Sequence, residues 1–266
     1  MGILRSGASI PAVLLALIAI VSLPAPPLAA QQVGVWSRPV QTERTRTHDF
    51  IHYRVSLTFD LDNKVFWGEN RITLTPFADG IGSFWVDAEE IVVEGATGSE
   101  GEELPFQLTD TSVIVSLPDP PNFGDTIEVT LAYRGEDPQE GFFFDDASDD
   151  HPQMVSTDSW PNEAHHWIPL YDYPHDKVTH DLIITVPDGN QVLSNGRLVM
   201  NAVPTGSETM TWHWAQEKPH STYLMMLAIG PFAVVEDSLG DLPINYWVYP
   251  EAEDDARWIF EKTPDM

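Results

Sequence analysis

The sequence predicts an all-β protein, folded as an antiparallel sandwich or a curved sheet. Apolar and polar residues alternate along many short segments, as expected for strands that bury one face. Turns rich in Gly, Pro, Asp and Asn separate these segments. Because no long helical pattern lies between them, a doubly wound α/β fold is not expected.

Alternation is clearest in the first predicted strand, at residues 48–61, where Tyr53, Val55 and Leu57 alternate with polar residues. The later predicted strands follow the same period of two and lie at residues 66–74, 83–86, 91–94, 104–108, 112–117, 126–133, 181–186, 191–198, 209–215, 222–229 and 244–249. Residues 223–229 are apolar without interruption, which predicts a strand buried on both faces.

Residues 1–30 are predicted to be a secretory signal peptide. Arg5 gives a short basic start, residues 10–23 form an apolar core, and Pro24 ends any helix. The apolar core is shorter than the roughly 20 residues of a membrane span, so we expect cleavage near Ala30 and no span afterwards. The sequence therefore predicts export, to the periplasm or to the outside of the cell.

The rest of the chain divides into an N-terminal extension at 31–47, the β domain at 48–250 and a different pattern at 251–266. The last segment loses the period of two and begins with acidic residues, which favours the start of a helix. A lone amphipathic helix needs a partner surface. We expect it either to fold back on the sheet or to open a further, truncated domain.

The charge of the chain narrows the classes of partner. There are 41 Asp and Glu residues against 13 Lys and Arg, a formal net charge of −28. Such a surface repels nucleic-acid phosphates and anionic membranes and attracts cations such as free amines. The chain has no cysteine, which excludes disulfides, thiolate zinc sites, cysteine nucleophiles and a lipoprotein anchor.

The sequence has no self-sufficient catalytic motif. His-Glu-x-x-His, Gly-x-Ser-x-Gly, a phosphate loop and Gly-x-Gly-x-x-Gly are all absent. His165 and His166 are adjacent and are expected to point to opposite faces of a strand, so they do not predict a metal site. The acidic run Asp145–Asp150 is interpreted as a solvated loop rather than a calcium site. We predict no catalytic residue and no metal ligand in this chain.

Residues 156–177 stand out by their aromatic and proline content. Trp160, Trp167, Tyr171 and Tyr173 lie between prolines, which forbid a regular helix, so an ordered irregular loop is predicted. Aromatic loops of this kind on β scaffolds often contact ligands. Packing against a neighbouring domain explains the composition equally well.

The same segment carries a family resemblance. It resembles the pattern Thr-Gln-x-Glu-Pro-x-x-Ala-Arg-x-Trp-Phe-Pro-Cys-x-Asp-x-Pro of the N-terminal domain of the aminopeptidase N-like zinc metallopeptidases. The positions in register are Thr157, Pro161, Ala164, Trp167, Pro169, Asp172 and Pro174. The downstream Ser-Asn-Gly turn at 194–196 and the Trp-x-Trp at 212–214 fit as well. The resemblance implies a large, saddle-like β domain that packs against a catalytic domain.

The resemblance also implies a substrate-binding position. By family position, Thr157, Asp158, Trp160 and Pro161 would face the substrate. In the family, a Gln and a Glu hold the free α-amino group of the substrate, and here those positions are Asp158 and Trp160. The indole face of Trp160 could meet an ammonium group by cation–π attraction. Asp158, or the nearby Glu163 as an alternative anchor, could supply the carboxylate.

From this resemblance we expect the N-terminal piece of an exported zinc aminopeptidase. Its zinc and catalytic groups would lie in a missing catalytic domain that begins near residue 251, and its partners would be that domain and a peptide with a free N-terminus. The first alternative is a non-catalytic binding or scaffold module on the same fold. The second is an unrelated exported β-sandwich that binds carbohydrate with its Trp-rich loop.

Overall fold

The first strand shows how the sequence pattern becomes structure. In this computed structural model, which describes residues 45–149, 151–205 and 208–266, the predicted strand at 48–61 forms β1 at His48–Asp60. Its apolar side chains, among them Tyr53, Val55 and Leu57, are buried, and the intervening ones face outward. The predicted signal peptide at 1–30 and nearly all of the predicted extension lie outside the described residues.

The described residues contain sixteen strands, which are β1 and then Val65–Pro76 (β2), Ser83–Asp87 (β3), Ile91–Gly98 (β4), Phe106–Leu108 (β5), Ser112–Ser116 (β6), Ile127–Glu136 (β7), Phe142–Asp145 (β8), Met154–Thr157 (β9), Lys177–Pro187 (β10), Gln191–Ser194 (β11), Arg197–Pro204 (β12), Thr209–Ser221 (β13), Leu227–Gly230 (β14), Ala233–Leu239 (β15) and Leu242–Val248 (β16). The all-β class predicted from the alternation is therefore confirmed.

The strands form four sheets. The largest has seven strands in the order β12-β13-β10-β1-β2-β7-β4. A three-stranded sheet has the order β3-β6-β5, a four-stranded sheet has the order β11-β14-β9-β8, and β15 pairs with β16. The three larger sheets share one apolar core, because their alternating side chains point inward, and the partly buried Trp247 of β16 packs against this core.

One strand pair departs from the antiparallel prediction. β1 pairs with β10 in parallel, with His52 opposite Thr179 and Thr58 opposite Thr185. A parallel pair needs a long connection between its strands. Residues 61–176 supply it, and they contain the whole of the three-stranded sheet. Sequence periodicity carries no information on this pairing, since it reports only which face of a strand is buried.

Several predicted elements need correction. The short strands β8, β9 and β15 were not predicted. The strand predicted at 191–198 is two strands, β11 and β12, separated by a turn in which Gly196 has φ +87°. The strand predicted at 222–229 is only β14, because Thr222–Leu224 form a 3-10 helix and the Leu224 side chain is 48% exposed. An apolar run therefore does not require burial on both faces.

The C-terminal segment is helical, as its acidic start predicts. Pro250–Ala252 form a 3-10 turn, Glu253–Ile259 form helix α1, and Thr263–Asp265 form a second 3-10 turn. Helix α1 lies against β15 and β16, where Tyr246 stacks on Phe260 with ring centroids 4.5 Å apart. Among the described residues, no helix is long and apolar enough to cross a membrane.

Candidate functional site

The segment between β9 and β10, residues 158–176, is here called the candidate loop. It is held to the sheets by backbone hydrogen bonds: Leu170 and Asp87 exchange N–H···O bonds of 2.8 and 3.1 Å. The buried amide of Asn70 donates to the Pro169 carbonyl at 2.9 Å. The loop is irregular, as its prolines predict, but it is anchored along its length.

The aromatic residues of the candidate loop divide between the core and the surface. Trp167 and Tyr171 are buried, and Tyr171 stacks on Phe50 of β1 at 5.2 Å. Neither ligand contact nor packing on another domain accounts for these two side chains, because they fill the core of their own domain. Trp160 is different, since its side chain is 68% exposed.

Asp172 is the polar centre of the loop. Its Oδ2 accepts from His165 Nδ1 at 2.9 Å, and its Oδ1 accepts from the Thr222 hydroxyl at 2.6 Å. Burial would lower the pKa of His165, but the hydrogen bond and charge of Asp172, together with the charges of Asp87 and Glu89, leave the pKa raised above its ordinary value. His165 occupies the Arg position of the family pattern, so this pair keeps a basic partner for the buried carboxylate.

Thr157 joins two strands of the four-stranded sheet. Its hydroxyl accepts from the Leu227 N–H at 2.9 Å and donates to the Leu227 carbonyl at 3.3 Å, which ties β9 to β14. The neighbouring Ser159 is buried and donates to the Met225 carbonyl at 2.8 Å. These bonds hold the chain on both sides of Asp158 in one position.

Asp158, Trp160 and Pro161 form an exposed rim at the start of the candidate loop. The Asp158 N–H donates to the Gly141 carbonyl at 3.0 Å, and its carboxylate accepts from the Trp160 N–H at 3.4 Å. The Trp160–Pro161 peptide bond is cis. The Asp158 carboxylate therefore lies beside the Trp160 backbone, and the side chains of both residues are exposed.

Glu163, the alternative anchor for the substrate amine, faces the imidazole of His166. Its Oε2 lies 3.0 Å from Nε2 of His166, and its side chain is 26% exposed. Of the predicted carboxylates, Asp158 is therefore the one on the exposed rim.

The expected arrangement of His165 and His166 is wrong. They lie in a 3-10 helix, Ala164–His166, and not in a strand. Their rings lie 4.4 Å apart and both side chains are buried. In a helical turn, adjacent side chains diverge by far less than the half-turn of a strand. The two imidazoles therefore share surroundings that include Glu89, Glu90 and Glu140, which sequence analysis did not select.

A second group of histidines lies on the large sheet. His52 and His213 flank Asp181 at 3.4 and 3.0 Å, and Arg54 pairs with the same carboxylate at 3.1 Å. The buried His180 contacts only His220 among these histidines, and burial lowers its pKa to about 3. This group has the character of a structural ion-pair network, with the Asp181 charge balanced by its neighbours.

An open cleft of about 610 Å³ lies elsewhere on the domain. Its floor includes Leu104, Leu117 and Val129, and its rim carries Glu102 and Glu128. No residue of the candidate loop lines it.

The sequence matches one known family. Residues 50–224 match the family described as the peptidase M1 N-terminal domain. A curated relative, named "Probable aminopeptidase 2", from Sulfurisphaera tokodaii, is 26% identical over 198 residues. That match covers 72% of this chain and 23% of the relative, so the chain spans about a quarter of the relative's length.

Solved structures share the fold. A two-domain M1 zinc metallopeptidase mutant bound to L-arginine superposes with a TM-score of 0.65 at 21% identity, over 79% of this chain and 52% of that one. An M1 zinc metallopeptidase from Deinococcus radiodurans gives 0.64 at 21% identity, over 76% and 47%. The fold expected from the resemblance is confirmed.

Proposed function

Because the chain belongs to the peptidase M1 family, through an N-terminal domain at residues 50–224, we propose that it forms the substrate-facing N-terminal domain of a zinc aminopeptidase. The family match carries this proposal, and the curated relative named as an aminopeptidase supports it. Membership also rules out the alternative of an unrelated carbohydrate-binding sandwich.

The catalytic zinc is proposed to lie in a separate catalytic domain. The chain contains no His-Glu-x-x-His, and the α-helix among the described residues, Glu253–Ile259, carries no histidine that could bind an ion beside a glutamate base. The chain also covers only 23% of its curated relative, which leaves room for such a domain in the whole protein. When bound there, zinc would activate water for peptide hydrolysis.

This domain's own task would be to bind and orient the substrate amine. The exposed rim at the start of the candidate loop offers the Asp158 carboxylate and the Trp160 indole face. The net charge of −28 adds long-range attraction for a peptide with a protonated N-terminus. The structural relative bound to L-arginine is consistent with this role.

The apolar segment at residues 10–23 supports export of the protein to the periplasm or outside the cell.

The test is kinetic and uses the whole protein with its catalytic domain. Asp158→Ala should raise KM for peptides with a free N-terminus by about thirtyfold or more, because a charge pair that holds the ammonium in a closed cleft is worth about 2 kcal/mol or more. The matched control is Asp110→Ala, which removes an exposed aspartate of another turn and should leave KM unchanged.

Two inhibitors test whether Asp158 acts on the substrate amine or on the site as a whole. One is a product amino acid, and the other is its analogue without the amine. Asp158→Ala should weaken only the amine-bearing inhibitor. Equal inhibition constants before and after the substitution would remove Asp158 from the amine site.

A non-catalytic binding module remains the second candidate. The observation that favours it is the presence of Asp158 and Trp160 where the family pattern has Gln and Glu. Peptide binding without any hydrolysis by the zinc-loaded whole protein would support this function over the first.

A further inference from the structure

Three turns bring carboxylates onto the two buried histidines at one end of the domain. We call this group the histidine–carboxylate cluster; its members are Glu89, Glu90, Glu140, Glu163, His165 and His166. Glu89 and Glu90 come from the β3–β4 turn, Glu140 from the β7–β8 turn and the others from the candidate loop. The turns are far apart in sequence, so only the fold brings these groups together.

The geometry around His166 suits a metal ion. Its Nε2 lies 3.0 Å from Glu163 Oε2 and 3.8 Å from Glu140 Oε2, and the three ligand atoms all lie within 4.8 Å of one another. Zinc bonds to imidazole nitrogen and carboxylate oxygen are about 2.0–2.2 Å long, so three ligands around one ion lie roughly 3–4 Å apart. The side chains therefore need only small movements to enclose an ion.

The other nitrogen of His166 also fits this assignment. Nδ1 is buried without a hydrogen bond and lies 3.2 Å from Oε2 of Glu90. The same Glu90 oxygen accepts from the backbone N–H groups of Gln139 and Glu140, at 2.9 and 3.0 Å. A small rotation would let Nδ1 donate to Glu90, and a carboxylate that accepts from Nδ1 keeps the proton there and leaves Nε2 free for a metal.

Charge gives an independent reason for a cation. Four carboxylates of the cluster, together with Asp172, lie within 4 Å of the two imidazoles. Among the described residues, no Lys or Arg forms an ion pair with any of these five. With His165 protonated and His166 neutral, as a metal ligand must be, five negative charges would face one positive charge. A divalent ion would offset half of this excess.

We propose that His166 Nε2, Glu163 and Glu140 bind a divalent transition-metal ion of the zinc type, with Glu90 as the positioning residue and water completing the coordination. Glu140 is 69% exposed, which gives the ion a path from solvent. This proposal departs from the sequence prediction of no metal in the chain. That prediction assumed a strand for His166 and did not include Glu140.

The ion would connect the β7–β8 turn to the candidate loop. These segments already touch beside the exposed rim, through the bond from the Asp158 N–H to the Gly141 carbonyl. The Glu163 N–H in turn donates to the Ser159 carbonyl at 3.0 Å. A metal bound by Glu140 and Glu163 would fix both sides of this contact.

Zinc titration of the full chain, without a histidine tag and after EDTA treatment, tests the proposal. Calorimetry in 0.15 M NaCl with excess Mg²⁺ should show one Zn²⁺ per chain, and elemental analysis after gel filtration should agree. Glu163→Gln should weaken zinc binding at least tenfold. The matched control Glu89→Gln removes the same charge from the same cluster but from the other histidine, and should change the affinity by less than threefold.

Three results would overturn the proposal. The first is weak zinc binding at several sites that Mg²⁺ displaces. The second is that Glu163→Gln binds zinc as tightly as the parent chain. The third is that only Glu89→Gln loses the ion. The last would place the ion on the group Glu89, His165 and His166 instead. His166→Gln, with its fold checked by circular dichroism, should shift or remove the d–d absorption of bound Co²⁺, because the ion loses its imidazole nitrogen ligand.

Discussion

At the scale of single residues, burial decides the protonation of groups that the sequence leaves ambiguous. His48 is 1% exposed and its Nε2 has no hydrogen-bond partner, so burial lowers its pKa to about 4. Burial raises the pKa of the Asp176 carboxyl to about 6, although Arg46 pairs with it and opposes the shift. The two groups act in opposite directions: acid destabilises the fold through His48 and stabilises it through Asp176.

We therefore predict that His48→Phe reduces the acid sensitivity of the domain. In the unfolded chain His48 takes up a proton near pH 6.5, but in the fold only near pH 4, so protonation favours unfolding as the pH falls between these values. Between pH 7 and pH 4.5, the free energy of unfolding should fall by about 2–3 kcal/mol more in the parent than in the variant. Urea denaturation at several pH values measures this difference. Parallel curves for the two proteins would show that His48 is not a source of acid sensitivity.

At the scale of elements, the candidate loop depends on close contact between backbones. Gly141, at the start of β8, has φ +67°, and a Cβ there would lie 2.1 Å from the Glu163 carbonyl oxygen. Glycine at this position lets the β7–β8 turn approach the candidate loop, which brings Glu140 toward His166 and the Gly141 carbonyl toward the Asp158 N–H. The absence of a side chain at Gly141 thus allows the close contacts on which both the exposed rim and the histidine–carboxylate cluster depend.

Gly141→Ala should lower the free energy of unfolding by about 2–4 kcal/mol, because a left-handed backbone costs about 1–2 kcal/mol and the contact with Glu163 adds to it. The matched control is Gly189→Ala. Gly189 has φ +90° and nothing within 4 Å of the added Cβ, so it should lose only the conformational part, about 1 kcal/mol. Thermal or chemical denaturation distinguishes the two. Equal losses at both positions would mean that the loop moves away from Gly141 without cost.

At the scale of the whole molecule, the net charge of −28 is a standing source of repulsion. The described exposed ion pairs, such as Arg134–Glu94 and Arg197–Glu217, are worth little each and cannot balance the excess of carboxylates. A large core, which includes buried side chains from all the sheets except the β15–β16 hairpin, must supply most of the stability against this field.

The chain should therefore become more stable as salt is added. Raising NaCl from 0.02 to 0.5 M shortens the screening length and weakens repulsion between surface carboxylates more than it weakens the few ion pairs. We expect a higher midpoint of urea denaturation, equivalent to a gain on the order of 1 kcal/mol. Potassium chloride should act equally, since the effect is one of screening. A midpoint that falls with salt would show that ion pairs outweigh the net repulsion.

The sequence alone determined the all-β class, the helical C-terminal segment and the family. It also determined the strands with strict alternation, such as β1, β2 and β7. These features depend on which face of a strand is buried and on the order of motifs, and both can be read from neighbouring residues. It did not determine β8 and β9, which are too short to show a period, or β15, whose apolar residues do not alternate with polar ones, or the parallel pairing of β1 with β10. Only the tertiary structure decided that Glu163 pairs with His166, that Thr157 hydrogen-bonds to Leu227 and that Glu140 lies near His166 of the candidate loop. Those contacts join turns that are distant in sequence, and their geometry depends on how the sheets pack.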